Sequence, residues 1–187
     1  MKIFSLFLIF FIFSCQPVEK LDSIVFDNKQ FTRFDIVSST IEINEIFEKK
    51  FSAPYIGHTL KIDPSQRIIS WVNDNFKSIG NENNFVVSIL DASLSQTEIE
   101  NTEAKKFDEK TNYKYEIFYL IEFNLFDDSR DLIATTLVET SRSTTSGLYI
   151  SIDEKENIIN DLIYQSLKDL SSESNILLKK HMSEFIL

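Results

Sequence analysis

The sequence is poor in cysteine, glycine and proline, and each shortage excludes a class of structure. One cysteine stands among 187 residues, so the chain cannot form an internal disulfide. Three glycines are too few to build phosphate-binding loops from backbone amides. With only three prolines as well, the chain lacks the turn residues of a loop-dominated or all-β fold.

Catalytic and metal-binding motifs are also missing from the sequence. Its two histidines, His58 and His181, lie far apart and without a neighbouring cysteine or carboxylate-rich motif. There is no HExxH, no GxSxG and no Gly-rich phosphate loop. The acidic pairs Asp127-Asp128 and Asp153-Glu154 are accounted for by a turn and a helix start. We therefore expect no catalytic residue, no metal site and no cofactor.

The first fourteen residues have the features of an export signal. Lys2 supplies one positive charge, and an apolar run then extends from Ile3 to Phe13. A transmembrane helix needs about 20 apolar residues, so this run is too short to span a bilayer. A basic start, an apolar centre and a small residue, Ser14, are typical of a cleaved signal peptide.

The single cysteine follows that small residue directly. The string Ile12-Phe13-Ser14-Cys15 resembles the lipobox of bacterial lipoproteins, although Phe13 is bulkier than usual at its position. The resemblance implies cleavage after Ser14, a diacylglycerol thioether on Cys15, and acylation of the new terminus by a fatty acid such as palmitate. The alternative is an ordinary secretory peptide, which would leave Cys15 as a free thiol in an exported protein.

The residues after the cysteine set the expected location and charge. Gln16 is not the Asp that retains Gram-negative lipoproteins at the inner membrane, so the lipoprotein resemblance implies an outer-membrane anchor facing the periplasm. Without residues 1–14, 18 basic residues face 29 acidic ones, a net charge of −11. This excess of acids argues against a nucleic-acid partner. Residues 15–32 are expected to form a lipidated tether, and 33–187 a single domain.

The hydrophobic pattern predicts an α+β fold with element order β-α-β-β-β-α. The segment 33–47 is predicted to be one extended strand, 84–99 a second, and the residues after Asp127-Asp128-Ser129 the hairpin partner of the third. The third strand is the best defined, because apolar residues occupy every odd position for thirteen residues. These positions are Tyr113, Tyr115, Ile117, Tyr119, Ile121, Phe123 and Leu125.

Two helices are predicted, each with one apolar stripe. The first begins at Pro64 with Asp63 as its cap, and Gly80 stands where a left-handed C-terminal cap belongs. Its expected stripe is Ile68, Ile69, Val72, Phe76 and Ile79. The second opens with Asp153 and Glu156 in capping-box spacing, and serines at 171–174 predict a bend before a shorter helix. Because each helix has one apolar stripe, both should pack on one face of a four-stranded mixed or antiparallel sheet.

The opposite face of that sheet mixes polar and apolar residues. Lys114, Glu116, Glu122 and Asn124 are expected there beside Phe118 and Leu120, so this face either binds a partner or is covered by the N-terminal segment. Basic residues that could bind an anion are few. Lys105, Lys106 and Lys110 lie in the loop between strands, and Arg130 and Arg142 flank the last strand. The alternative is that the lysines are solvated and Arg142 pairs with an acid.

The order of elements resembles the lipopolysaccharide-assembly lipoprotein family. The resemblance extends over most of residues 64–170, in "PSQRIISWVNDNF", "FVVSILDASLSQ", "YKYEIFYLIEFNL", "IATTLVETSRS" and "ENIINDLIYQSLKDL". The chain lacks the Gly-aromatic segment that this family commonly has after its lipidated cysteine. The resemblance implies a non-enzymatic scaffold inside an outer-membrane β-barrel, with Lys or Arg contacting lipopolysaccharide phosphates.

Two other functions remain open from the sequence. One is an auxiliary lipoprotein of an ABC-type lipid transporter, which would bind phospholipid in an apolar groove over Phe118 and Leu120. The other is an exported enzyme or inhibitor, which the lack of paired catalytic groups disfavours.

Overall fold

The computed structural model describes residues 24–106 and 109–187. Cys15, Ser14 and the rest of the predicted signal peptide lie outside the described residues. The strands are β1 (Phe34–Ile36), β2 (Thr40–Glu45), β3 (Phe76–Ser78), β4 (Asn84–Glu100), β5 (Thr111–Phe126) and β6 (Leu132–Gly147), and the α-helices are α1 (Pro64–Asn75) and α2 (Ile152–His181). Short 3-10 turns occupy Asn28–Gln30, Gly57–Thr59 and Ser183–Phe185.

The main sheet has four strands in the order β2-β4-β5-β6. β2 runs parallel to β4, whereas β5 runs antiparallel to both of its neighbours, β4 and β6, so the sheet is mixed. β4 to β6 are each 16 or 17 residues long, well above the usual strand length of about 5–6 residues. The α+β fold and the four-stranded mixed sheet are therefore confirmed.

The alternation along β5 is confirmed residue by residue. Its odd positions from Tyr115 to Leu125 are fully buried, and Tyr113 at the end is half-buried and packs against the same core. Both helices contribute to this core through Ile68, Trp71 and Val72 of α1 and Leu162, Ile163 and Leu167 of α2. The two helices thus cover the face of the sheet that carries the odd-numbered residues of β5. The even-numbered residues lie on the opposite face, which the helices do not cover.

The predicted single strand at 33–47 is wrong, because this segment forms two strands in two different sheets. β1 pairs in parallel with β3 in a separate two-stranded sheet, where Phe34 lies opposite Phe76. β2 then enters the main sheet beside β4. The Ser38 amide donates to the Ile36 carbonyl at 2.8 Å, a tight turn that lets the chain leave one sheet and join the other.

Helix α1 begins as predicted but ends earlier. The Asp63 carboxylate accepts a hydrogen bond from the Gln66 amide at 3.0 Å, and Pro64 occupies the first turn. The predicted stripe wrongly extended the helix over Phe76 and Ile79, because Phe76 begins β3. Gly80 is not a left-handed cap, since no described glycine has positive φ. Glycine is needed at this position for a different reason. The backbone of Val37 and Ser38 passes so close that a Cβ atom would collide with it.

Helix α2 runs for 30 residues without interruption, so the predicted division into two helices at 171–174 is wrong. Ser171 and Ser174 are buried, and tertiary packing on β6 outweighs the weak helix propensity of serine. The predicted capping residues are also corrected. Ser151 caps the helix by accepting from the Glu154 amide at 3.1 Å. No described helix is both long and apolar enough to cross a membrane.

Candidate functional site

The cationic residues predicted from the sequence do not converge on one place. Lys105, Lys106 and Lys110 precede β5, and Arg130 lies in the turn after it, so the length of β5 separates them by about 50 Å. Lys110 is turned back onto its own loop, where its Nζ donates to the Lys105 carbonyl at 2.8 Å. One anion could therefore contact either the lysines before β5 or Arg130 after it, but not both.

Arg142 has a protein partner. It lies on the helix-covered side of β6 and pairs with Asp169 of α2, both side chains being 43% exposed. The sequence left open whether Arg142 pairs with an acid or binds an anionic ligand. The structure provides the acid, although it comes from a helix and not from a neighbouring strand.

The sheet face turned away from the helices is mixed in polarity. Lys114 pairs with Glu116 at 2.8 Å, and Asn124 donates to Glu122 at 2.8 Å, so the polar groups along β5 are satisfied by their own neighbours. Apolar residues lie between and beside them. Phe118 and Leu120 are half-buried, as are the other even positions of β5.

β6 adds the most exposed apolar side chains to this surface. Leu137 lies opposite Glu122 and is 50% exposed, and Leu132, opposite Phe126, is 54% exposed. We call the even positions of β5 together with Leu132 and Leu137 the open face. Because water-exposed leucines beside half-buried aromatic residues are unfavourable, the open face is suited to contact with another molecule.

A groove of about 520 Å³ lies on the other side of the molecule, where the end of the 46–63 segment and α1 meet α2. Three cationic residues line it, Lys61, Arg67 and Lys155, together with one acid, Glu156. The residues that line the groove therefore carry a net charge of about +2, whereas the chain as a whole is strongly acidic. Its volume is within the range of about 300–1,000 Å³ typical of small-molecule sites.

Arg67 is the most unusual of these cations. Its guanidinium stacks on the ring of Phe26 with 3.6 Å from Cζ to the ring centroid, and its Nε is buried with no hydrogen-bond partner in the described part of the chain. Burial lowers the pKa of Arg67. Among the described residues no carboxylate forms an ion pair with it, so a half-buried positive charge is left without a counter-charge.

A buried hydroxyl lies near Arg67. Tyr119 of β5 is completely buried, its hydroxyl has no hydrogen-bond partner among residues 24–106 and 109–187, and burial raises its pKa. The positive charge of Arg67 acts on Tyr119 in the opposite direction and partly offsets this effect. Tyr119 therefore remains a neutral phenol at physiological pH and could only donate or accept a hydrogen bond.

The sequence interpretation did not single out Arg67. A signal was present, because Arg67 is the only basic residue between Lys61 and Lys77 and it directly precedes the apolar pair Ile68-Ile69. The sequence does not show that α1 and α2 leave a groove beside Arg67. That space depends on the packing of two helices distant in sequence.

The remaining sequence candidates show no reactive arrangement. His58 and His181 are both exposed, and the ring of His58 lies 5.5 Å from that of Phe51. A further carboxylate, Asp91, interrupts the apolar run of β4. It is half-buried at a β-bulge and accepts a hydrogen bond from the Ser93 amide at 2.8 Å. Within the described part of the chain, no cluster of three or more histidine, cysteine, aspartate or glutamate side chains could hold a metal.

Comparisons with known proteins give structural neighbours only. No protein-family model matches the chain, and no curated protein matches it in sequence. A minor lipoprotein from Acinetobacter baumannii matches with a TM-score of 0.40 and 12% identity, over 76% of this chain and 96% of that protein. The rare lipoprotein B from Shewanella oneidensis matches with a TM-score of 0.30 and 15% identity, over 73% of this chain and 98% of that protein.

Both neighbours are named as bacterial lipoproteins, the class that the leader of this chain also predicts. Identities of 12% and 15% with these TM-scores are too low for the function of either protein to be transferred. The function of this chain is therefore argued below from its own residues.

Proposed function

We propose that the protein is a lipid-anchored lipoprotein of the outer membrane, facing the periplasm, that serves as a non-enzymatic scaffold for a β-barrel partner in lipopolysaccharide transport or assembly. The anchor is assigned to Cys15, after cleavage at Ser14, from the lipobox-like string in the sequence. The acyl chains on Cys15 would hold the domain at the membrane surface, since each buried CH₂ contributes about 0.8 kcal/mol.

The open face is the observation that carries the scaffold role. Three strands of 16 or 17 residues present a long surface on which Leu132 and Leu137 are about half exposed, and both helices pack on its reverse side. Along β5, Lys114 forms an ion pair with Glu116 and Asn124 donates a hydrogen bond to Glu122, so these polar groups find partners within the strand itself. An extended open sheet face of this kind suits contact with a large protein surface better than it suits enclosure of a small substrate.

Affinity purification of the lipidated protein from detergent-solubilised membranes tests the proposal. We expect mass spectrometry to identify a large β-barrel protein as the main partner. The variant Leu137→Glu should lose this partner, because it places a charge at one of the most exposed apolar positions of the open face. Ile176→Glu is the matched control, since Ile176 is similarly exposed, at 55%, but lies on α2. Recovery of a soluble enzyme complex without a barrel would refute the scaffold role.

The groove beside Arg67 favours a second candidate, an auxiliary lipoprotein of an ABC-type lipid transporter. A cavity of about 520 Å³ with cationic and apolar walls could hold part of a lipid. It lies between the helices and not over Phe118 and Leu120, where the sequence interpretation expected it. Recovery of a permease and an ATPase in the same purification would support this function over the scaffold.

A further inference from the structure

We infer that the groove between α1 and α2 binds one molecule of an anionic phospholipid, with its phosphate at Arg67 and Lys155 and an acyl chain along the apolar wall. This inference goes beyond the scaffold role and does not depend on the identity of the barrel partner. It rests on the charge, the apolar lining and the unpaired guanidinium of the groove.

The charge distribution selects an anion. Three cationic residues and one acid line the groove, whereas the mature chain as a whole carries a net charge of −11. Arg67 is half-buried, and within residues 24–106 and 109–187 no carboxylate pairs with it and its Nε donor has no partner. A desolvated cation without a counter-charge is unfavourable unless a ligand supplies one, and phosphate oxygens match the planar guanidinium through paired hydrogen bonds.

Lys155 lines the same groove as Arg67. Its Nζ donates to the Gln96 side chain at 2.8 Å and lies 5.8 Å from the centroid of the Tyr115 ring, so the ammonium group is held against the sheet. An ammonium group has three donors, and two remain available after the bond to Gln96. Lys61 is exposed at the mouth of the groove and forms no ion pair with a described residue.

The apolar residues of the groove select a lipid over free phosphate. Leu60, Ile62, Ile152 and Ile159 line it, and two of these are poorly covered, Ile62 at 41% and Ile152 at 84% exposure. Inorganic phosphate would gain nothing from these side chains. An acyl chain would remove them from water, at about 25 cal/mol for each Å² of apolar surface buried.

The acid in the groove narrows the choice of headgroup. Glu156 would repel a second negative charge, so a ligand with one phosphate diester fits better than a ligand with several phosphates. Glu156 and Asn160 can instead form hydrogen bonds with the hydroxyl groups of a glycerol headgroup. Phosphatidylglycerol has this combination of one phosphate, two hydroxyls and acyl chains.

Native mass spectrometry of the full lipidated protein tests the inference. The protein is reconstituted in nanodiscs with equal amounts of phosphatidylglycerol and phosphatidylcholine and then released in the gas phase. We expect one retained phosphatidylglycerol per chain, and roughly tenfold less or lower retention for Arg67→Gln, because a hydrogen bond to a charged group is lost. Arg142→Gln is the matched control and should retain the lipid as the wild type does.

Lys61→Gln gives a second, independent readout. Lys61 is exposed, so the substitution should leave the fold intact, while retention of phosphatidylglycerol falls by a smaller factor than for Arg67→Gln. Circular dichroism and thermal unfolding check that Arg67→Gln is folded. A folded Arg67→Gln protein should still recover the barrel partner, which separates loss of the lipid site from loss of the scaffold role.

Three outcomes would overturn the inference. The first is equal retention of phosphatidylcholine and phosphatidylglycerol by the wild type. The second is undiminished retention of phosphatidylglycerol by both variants. The third is selective retention of lipopolysaccharide, or of inorganic phosphate alone, when either is offered in place of phosphatidylglycerol with the same dependence on Arg67.

Discussion

Arg142 of β6 and Asp169 of α2 form an ion pair with two parallel hydrogen bonds, Nε to Oδ2 at 2.8 Å and Nη2 to Oδ1 at 3.1 Å. The pair joins the last strand of the sheet to the middle of the long helix that covers it. It occupies two donors of the guanidinium, so Arg142 is less available for an anionic ligand than Arg67 is. Arg142→Gln is therefore a suitable control for Arg67→Gln.

The Arg142–Asp169 pair should contribute little to stability. Both side chains are 43% exposed, and exposed ion pairs typically contribute about 0.2–1 kcal/mol because water and salt screen them. We expect Arg142→Gln to lower the free energy of unfolding by about 0.5 kcal/mol. Urea unfolding of the two single variants and the double variant with Asp169→Asn measures the coupling, and a coupling above about 2 kcal/mol would contradict this view.

Asp63 should make stability depend on pH in the acidic range. Burial alone would raise the pKa of Asp63, but hydrogen bonds from Lys49, Ser65 and the Gln66 amide outweigh it and lower the pKa below the usual 3.8. The unfolded chain therefore takes up the proton more readily than the folded one. The stability that Asp63 contributes is complete above about pH 4 and is lost as the pH falls through the lower folded value.

Asp63→Asn tests this dependence, because asparagine keeps a side-chain cap for α1 but cannot ionise. Urea unfolding at pH 6 should show the wild type to be more stable than the variant, and the difference should shrink at pH 3. A constant difference at both pH values would contradict the prediction. Asp63→Ala also removes the cap and should cost about 1 kcal/mol more at pH 6.

The sequence predicted best those elements whose pattern depends on local spacing. β5 is an example, because burial on one face of a strand imposes period-2 alternation from Tyr113 to Leu125 whatever it packs against. The start of α1 is another, because the Asp63 carboxylate and the Gln66 amide are only three residues apart. Such features need no knowledge of the rest of the fold.

The predictions failed where distant residues decide the structure. Phe76 continues the apolar spacing of α1, yet it leaves the helix because Phe34 offers it a strand partner 42 positions earlier in the chain. Ser171 and Ser174 weaken helix propensity but are buried within α2. The groove beside Arg67 also depends on residues distant in sequence, because it forms only where α1 and α2 pack together.

The buried Tyr119 hydroxyl should be dispensable for folding. No residue that the structure describes forms a hydrogen bond with it, and an unsatisfied buried polar group costs about 1–3 kcal/mol. We expect Tyr119→Phe to be as stable as the wild type or more stable by up to about 1 kcal/mol. Thermal and urea unfolding measure the change.

Tyr115→Phe is the matched control for Tyr119. Tyr115 is equally buried four positions earlier on β5, but its hydroxyl accepts a hydrogen bond from Ser146 at 3.4 Å. Its loss should cost about 0.5–1 kcal/mol. If Tyr119→Phe is instead the more damaging of the two, the Tyr119 hydroxyl must bind a partner such as a buried water molecule.

Removing the predicted lipid site should separate localisation from folding. Cys15 lies outside the described residues, and the sequence predicts it to lie on a tether ahead of the domain. We therefore expect Cys15→Ala to fold like the wild type but to lose its membrane anchor and its cellular role. Radioactive palmitate should label the wild type and not the variant, and persistent label on Cys15→Ala would place the acyl group elsewhere.

Gly80 should tolerate no side chain, although its φ is not positive. A Cβ at this position would lie 2.9 Å from the Ser38 nitrogen and 3.0 Å from the Val37 carbonyl carbon, and both are backbone atoms that cannot rotate away. The Gly80 amide also donates to the Ser38 carbonyl at 3.0 Å, so the close approach is part of the link between β1 and β3. Gly80→Ala must push these segments apart, at a cost of about 1–3 kcal/mol.

Gly57→Ala provides the control for Gly80, because its added methyl group would meet nothing nearer than the Pro64 Cδ at 3.6 Å, an ordinary contact. This substitution should be neutral or slightly stabilising, by up to about 1 kcal/mol, since it reduces the freedom of the unfolded chain. Urea unfolding of both variants measures the two changes in the free energy of unfolding. Equal stability of the two alanine variants would mean that β1 and β3 do not approach each other closely at Gly80, and the two-stranded sheet would then be in doubt.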